Sequence, residues 1–296
     1  MSNFYRRWFW PLALPGLILF VAVVLVPFLI GLLYSFTSWR GTYFVGGSVW
    51  NSFVGWDNYA RIFHSGKFLH SLVYTLEFTV IAVIIINVIA LALAQMLDFV
   101  GKRVGLFRTV FFLPNLLGGL ALGFIWQFIF QNVFSKILFG PSGLHIPFLM
   151  NMTQDATKNL FALVIMVTWQ MAGYMMIIYV AGLNNIPKDL YEASAIDGAS
   201  GVKRFRFITL PMLMPSITIV LFLSLANCLK LLDQNVALTN GAFNTSMLSL
   251  QILRTVRFTQ PPDYGQAQAQ AVVFFVLVAV IGLIQVYITK KREVEA

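Results

Sequence analysis

A chain of 296 residues with 59% hydrophobic and only 10% charged side chains cannot clothe a soluble surface, since ordinary soluble domains carry about 25% charged residues. Its mean hydropathy of +0.80 makes it a membrane protein. The net charge of +9 comes without the basic stripe interleaved with aromatics that a nucleic-acid groove needs, which excludes nucleic acid as a partner and leaves loop charge facing an anionic lipid surface.

A spanning helix needs about 20 apolar residues, and six stretches predict one: Pro11–Phe36, Leu69–Leu97, Val104–Phe130, Leu160–Leu183, Leu213–Gln234 and Ala267–Thr289. The first follows two arginines as a signal peptide does, but it is too long for an h-region and lacks a small-residue cleavage site, so it is read as a retained anchor. Prolines in the first, third and fifth stretches are expected to kink or start helices. The fold class is therefore an all-α, polytopic bundle of six transmembrane helices. Residues 1–68 form the first helix and an outer loop, 69–290 the transmembrane core with a loop at 184–212, and 291–296 a cytoplasmic tail.

Lys and Arg set the orientation. With the N-terminus inside, the cytoplasmic segments hold twelve basic residues, clustered as Arg6-Arg7, Lys102-Arg103-Arg108, Lys188, Lys203-Arg204-Arg206 and Lys290-Lys291-Arg292, against seven outside. Both termini are thus expected in the cytoplasm. The long outer loops, Thr37–Phe68, Gln131–Asn159 and Asn235–Gln266, call for a job or packing of their own.

The single cysteine, Cys228, excludes an intrachain disulfide and a cysteine-based metal site, and the scattered His64, His70 and His145 have no ligand spacing. No Gly-x-x-x-x-Gly-Lys-[Ser/Thr] phosphate loop is present, so this chain hydrolyses no nucleotide.

The most polar interruption, "LYEASAIDGASGVKRFRFITLPMLMP" (Leu190–Pro215), lies between the fourth and fifth spans on the inner face. Pro187 suits a first helical position, Lys188–Ile196 can wind two turns with Lys188 and Glu192 at i, i+4, and Asp197-Gly198 stops the helix. Ala199–Leu210 can form a second helix, and Pro211 starts the descent into the fifth span. Such an elbow is either an amphipathic anchor on anionic lipid or a handle for a partner.

The stretch resembles the signature of binding-protein-dependent ABC importer permeases: Glu-Ala-Ala, three residues, Gly, nine residues, then Ile-x-Leu-Pro. Glu192, Ala193, Gly198, Ile208, Leu210 and Pro211 match, and Ser194 replaces the second alanine. "FVGWDNYARIF" (Phe53–Phe63), the segment Phe107–Phe130, "WQMAGYMMIIYVAGLNNIPKDLYEASAIDGAS" (Trp169–Ser200), "ALTNGAFNTSML" and "DYGQAQAQAVV" resemble the sugar-permease branch, as in maltose- and multiple-sugar-type importers. The resemblance implies a coupling helix seated in a cleft of a separate ATPase, with Glu192, Ala193, Asp197 and Gly198 as the ATPase-coupling residues. It implies a second, homologous permease subunit, two ATPase subunits carrying the ATP and Mg, an extracellular solute-binding protein that delivers a sugar or oligosaccharide, and no cofactor on this chain. The setting it implies is the bacterial cytoplasmic membrane.

Polar groups inside spans are expensive and mark pathways. In "LANCLKLLDQN", Asn227, Lys230 and Gln234 recur at helical spacing, with Asp233 at i+3 from Lys230. They read either as a substrate-path strip that hydrogen-bonds sugar hydroxyls or as a snorkelling Lys230 paired with Asp233 at the outer interface. Asn87, Trp169 and Gln170 are weaker candidates, and packing suits Trp169 better. Gly118, Gly119 and Gly123 permit close helix contact without a ligand. Rival functions are a secondary transporter driven by an ion gradient, which needs intramembrane carboxylates and inverted repeats, and a permease for glycerol-phosphate or polyol substrates. Glu77 and Asp233 are the only acidic residues inside the predicted spans, both toward the outer ends.

Overall fold

The computed structural model describes residues 3–97, 104–141 and 143–293, with the backbone alone at residues 3–7. The basic residues Lys102 and Arg103 and the end of the predicted tail, 294–296, lie outside the described residues. Contacts divide the chain into two compact units, Met1–Leu69 with Ile252–Val276, and His70–Gln251 with Leu277–Ala296.

The first unit opens with α1 (Asn3–Phe20), a π-turn at Val21–Leu25 and α2 (Val26–Tyr34), a nearly continuous helix. Pro11 and Pro15 sit inside α1, and Pro27 sits at the start of α2. Apolar side chains occupy its whole circumference and none is buried from Trp8 to Ile30, as expected of a helix surrounded by lipid. Phe28 packs on Phe275 with ring centres 4.8 Å apart, and the bare Gly31 admits the Gln268 side chain, whose Oε1 would lie 2.8 Å from an added Cβ.

The loop after α2 has packing of its own. Strands β1 (Trp39–Arg40) and β2 (Tyr43–Phe44) form a short antiparallel hairpin, and α3 (Asp57–His64) follows. Buried Asn58 donates from Nδ2 to the carbonyls of Ser35 (2.7 Å) and Thr37 (2.9 Å), satisfying backbone left over where α2 ends. Asp263 receives Arg61 at 3.3 Å and Arg40 at 3.7 Å. Phe36 packs edge-on against Trp56 and tilted against Tyr59.

The second unit holds the core. α4 (Gly66–Leu97) begins in the first unit and contributes Phe78, Ala82 and Ile86. α5 (Val104–Phe112) runs into a 3-10 turn at Leu113–Leu116, and α6 (Gly119–Phe128) into a π-helix at Ile129–Leu138. α7 (Ala156–Asn184), capped by the Asp155 carboxylate, is the central post: 67% of its most apolar stretch is buried, and Met166, Met175 and Tyr179 belong to the core. Gly173 of α7 lies under the Phe111 carbonyl, where any Cβ would collide with backbone. The elbow comprises α8 (Lys188–Ile196), α9 (Gly201–Arg204), a π-turn at Phe205–Thr209 and α10 (Leu210–Met212). α11 (Met214–Leu229), α12 (Asp233–Leu238) and α13 (Leu248–Arg257, which ends in the first unit) follow. α14 (Tyr264–Lys290) closes the chain, and its last turns pack on α11, where Gln285 donates from Nε2 to the Thr218 carbonyl at 3.3 Å.

Two predicted spans are corrected. The third is not one helix over Val104–Phe130: the chain is extended at Leu117 and Gly118, and the segment long enough to cross is Gly119–Leu138. Pro114, with no N–H to donate, and the Gly118-Gly119 pair permit that break. The fifth does not run to Gln234, because α11 ends at Leu229 and α12 starts after an interruption at Lys230–Leu232. In the elbow, Pro187 is the residue before the helix rather than its first position. The turn into the fifth span comes at Leu213, where Gly201–Met212 and Met214–Leu229 meet at 70°, with Pro215 opening the new helix. The structure otherwise has the helical character that composition demands, with five apolar helices long enough to cross a membrane, or six counting the bent pair, among the described residues.

Candidate functional site

The fifth-span interruption opens onto a cavity of about 550 Å³ in the second unit, which the turn before the third-span break also lines. α7 contributes Gln170, Met171 and Tyr174, neighbours on one helical face at i, i+1 and i+4. The 3-10 turn before the third-span break contributes Asn115. The fifth span contributes Asn227, Lys230, Asp233 and Gln234, so the four path candidates share one space. They share it through broken geometry rather than a helical stripe: Asn227 lies in the last turns of α11, Lys230 caps it with φ −89° and ψ 9°, and Asp233 and Gln234 open α12.

The Asn227 Nδ2 donates to the Leu223 carbonyl at 2.8 Å, one turn back, so its Oδ1 is left to the cavity. No ion pair joins Lys230 to Asp233. Gln170 spans two partners, donating from Nε2 to the Leu117 carbonyl at 3.3 Å and accepting from Gln234 Nε2 at 2.9 Å. The remaining lining from Met171, Leu231 and Leu232 is apolar. The result is a chamber of carboxamides, a phenol, an ammonium and a carboxylate with apolar patches, fit to hydrogen-bond a polar solute and unsuited to covalent chemistry.

Sequence reasoning missed Asn115 and Tyr174. The signal for Asn115 is its place directly after Pro114, which has no N–H for the helix ladder and so permits a break there, and for Tyr174 its one-turn spacing from Gln170. Asn87 does not line this cavity: it accepts from Tyr179 OH (2.7 Å) and donates to Ser224 Oγ (3.1 Å), tying α4, α7 and α11 together. Trp169 packs edge-on against Trp126 with ring centres 5.7 Å apart.

The elbow is built for rigidity and exposure. Gly198 has φ +68°, a left-handed conformation that closes α8. Its N–H donates to the Ala195 carbonyl at 3.2 Å and the Ala199 N–H to the Ser194 carbonyl at 2.9 Å, the paired bonds of a Schellman stop. Ser194, where the signature has alanine, is buried and donates to the Tyr191 carbonyl at 2.7 Å, so a small side chain is what the position requires. Glu192, Ala193 and Asp197 are exposed, as are the apolar Ile196 (88%) and Val202 (78%).

A bundle of apolar helices with a polar chamber at two interrupted spans and a rigid exposed elbow describes a membrane transport subunit. Residues 100–294 match the family model for the binding-protein-dependent transport system inner membrane component. The chain belongs to that family. It is 42% identical to the probable starch degradation products transport system permease protein AmyD of Thermoanaerobacterium thermosulfurigenes, over 99% of this chain and 98% of that one. It is 33% identical to the multiple sugar-binding transport system permease protein MsmF of Streptococcus mutans, over 98% and 97%. A chain in the crystal structure of a bacterial ABC transporter involved in import of the acidic polysaccharide alginate has the same fold, with TM-score 0.77, 21% identity and 97% of each chain covered.

Proposed function

We propose that this chain is the membrane-spanning subunit of an ATP-driven importer for a sugar or oligosaccharide. The observation that carries the substrate class is the cavity, where four carboxamides and Tyr174 offer donors and acceptors in both senses beside apolar patches, as a hydroxylated ring with an apolar face requires. Relatives named for starch degradation products and for multiple sugars support it. Asn227, Lys230, Asp233 and Gln234 bind the passing solute. Lys230, with no ion pair among the described residues, also suits a phosphorylated polyol, and competition of glycerol phosphate with neutral sugar in uptake separates the two substrates.

The elbow supports the energy source. Glu192, Ala193, Asp197 and Gly198 lie exposed on a stiff turn beside exposed Ile196 and Val202, the surface a soluble ATPase subunit would cover. Two ATPases holding ATP and Mg, a second homologous permease and an extracellular solute-binding protein complete the assembly, in a bacterial cytoplasmic membrane with both termini inside. A reporter fused after residue 296 is expected to read as cytoplasmic.

Gly198→Val tests the coupling. An added Cβ meets nothing within 4 Å, so nothing inside the chain clashes, but the left-handed φ opposes a β-branched residue by roughly 1–3 kcal/mol. In vesicles carrying the assembled importer, uptake is expected to fall at least about tenfold, equivalent to 1.4 kcal/mol, with membrane insertion unchanged. Glu192→Lys is expected to do the same by charge reversal. Native uptake and native ATP use by both variants would leave the elbow a lipid anchor.

A further inference from the structure

We infer that α6 and α12 move as one rigid body about the two interruptions, and that Gln170 is the positioning residue that latches this body to the fixed post α7. The inference rests on packing and hydrogen bonds alone and holds whatever the solute.

The two short helices are joined along their length. Gly119 faces the start of α12 so closely that a Cβ would lie 2.8 Å from Asp233 Cβ and 3.0 Å from Gln234 Cδ. One turn on, a Cβ on Gly123 would lie 2.5 Å from Ala237 Cβ. At the far end Gln127 donates from Nε2 to the Leu238 carbonyl at 2.9 Å. Small residues in contact and a side-chain bond at the end leave no room for one helix to slide on the other.

Both helices then meet a break at the same end. α6 is preceded by extended Leu117 and Gly118, and α12 by Lys230–Leu232, where Leu232 has φ −127° and ψ −62°. A helix break frees backbone carbonyls inside an apolar medium, and these must find donors. Gln170, buried on α7, supplies one to Leu117 and uses its own carbonyl to hold Gln234. One side chain therefore grips the base of both moving helices, and it lines the cavity. A solute that takes the hydrogen bonds of Gln170 or Gln234 releases the grip, so occupancy and outer-half motion become the same event.

The test is amide hydrogen exchange on the full chain in lipid nanodiscs. Gln170→Leu removes both bonds, and exchange in 119–128 and 233–238 is expected to quicken together by roughly 3- to 20-fold, the range that single side-chain bonds span in membranes, while 160–168 of α7 stays as it was. Gln170→Glu still accepts from Gln234 but no longer offers the amide donor to Leu117. Because the helices are one body, that single bond is expected to hold both segments within about twofold of the native rate. Quickening of only one segment in Gln170→Leu overturns the rigid pair, no quickening of either overturns the latch, and loss of protection in 119–128 alone in Gln170→Glu shows two independent helices. Should Gln170→Leu fail to insert, Gln127→Leu severs the far tie with Gln170 intact. Separate exchange rates for the two segments then support the pairing, and unchanged rates refute it.

Discussion

Two polar groups in the same bundle behave oppositely. Asn87, Tyr179 and Ser224 close on one another: each hydrogen-bonds a neighbour at 2.7–3.1 Å, and three helices are fastened by the result. Lys230 and Asp233 face open space with no ion pair between them, and Asn227 turns one end of its amide back to its own helix and leaves the other free. Both sets are polar residues in apolar surroundings, and the sequence presents them alike. Satisfaction separates them: a group that finds its partner within the protein holds the fold, and a group held open at a break is available to a solute.

The largest effect that can break this contrast lies in the cavity. Lys230→Ala and Asn227→Ala are expected to lower uptake at least about tenfold, equivalent to 1.4 kcal/mol, while detergent melting temperature and assembly yield stay native. A fall in melting temperature matching the loss of uptake would put these residues with the structural set. Asn87→Leu is expected to do the reverse. It leaves the buried Tyr179 hydroxyl without its acceptor, which costs about 1–3 kcal/mol, so the melting temperature drops and uptake per folded molecule stays constant. Tyr179→Phe sharpens the comparison at its small end. It removes one donor and keeps the ring, and the change in stability is expected near about 0.6 kcal/mol, measured by the same melting assay.

The elbow and the spans were legible in the sequence for local reasons. Pro187, the Asp197-Gly198 pair and the two-turn segment between them act within a few residues, and α8 occupies Lys188–Ile196, the range the sequence predicts. Apolar runs found the membrane helices for the same reason, since lipid reads length and hydropathy. The interruptions were not legible as interruptions. In the third span Pro114 and Gly118 permit a break but do not demand one, and apolar residues continue across it. In the fifth, "LKLLDQN" contains no Pro or Gly, and α12 sits where α6 offers Gly119 and Gly123 to receive it, a contact between residues more than a hundred apart. The cavity-lining Asn227, Lys230, Asp233 and Gln234 stand out in the sequence by their polarity, but the shape that gathers them depends on that distant packing. Asn115 and Tyr174 needed the break to be seen before their position meant anything.

The first span carries a different consequence. Trp8–Tyr34 comprises 27 residues, and its apolar stretch is unburied. At 1.5 Å per residue such a rod is about 40 Å long, whereas the hydrocarbon core of a bilayer measures about 30 Å. The surplus must be taken up by leaning or by stretching the surrounding lipid, at a fraction of a kcal/mol per Å. Acyl-chain length thereby becomes a control on this subunit. In thin bilayers the rod leans further, in thick ones it stands upright, and the β1–β2 hairpin that follows it is carried with it.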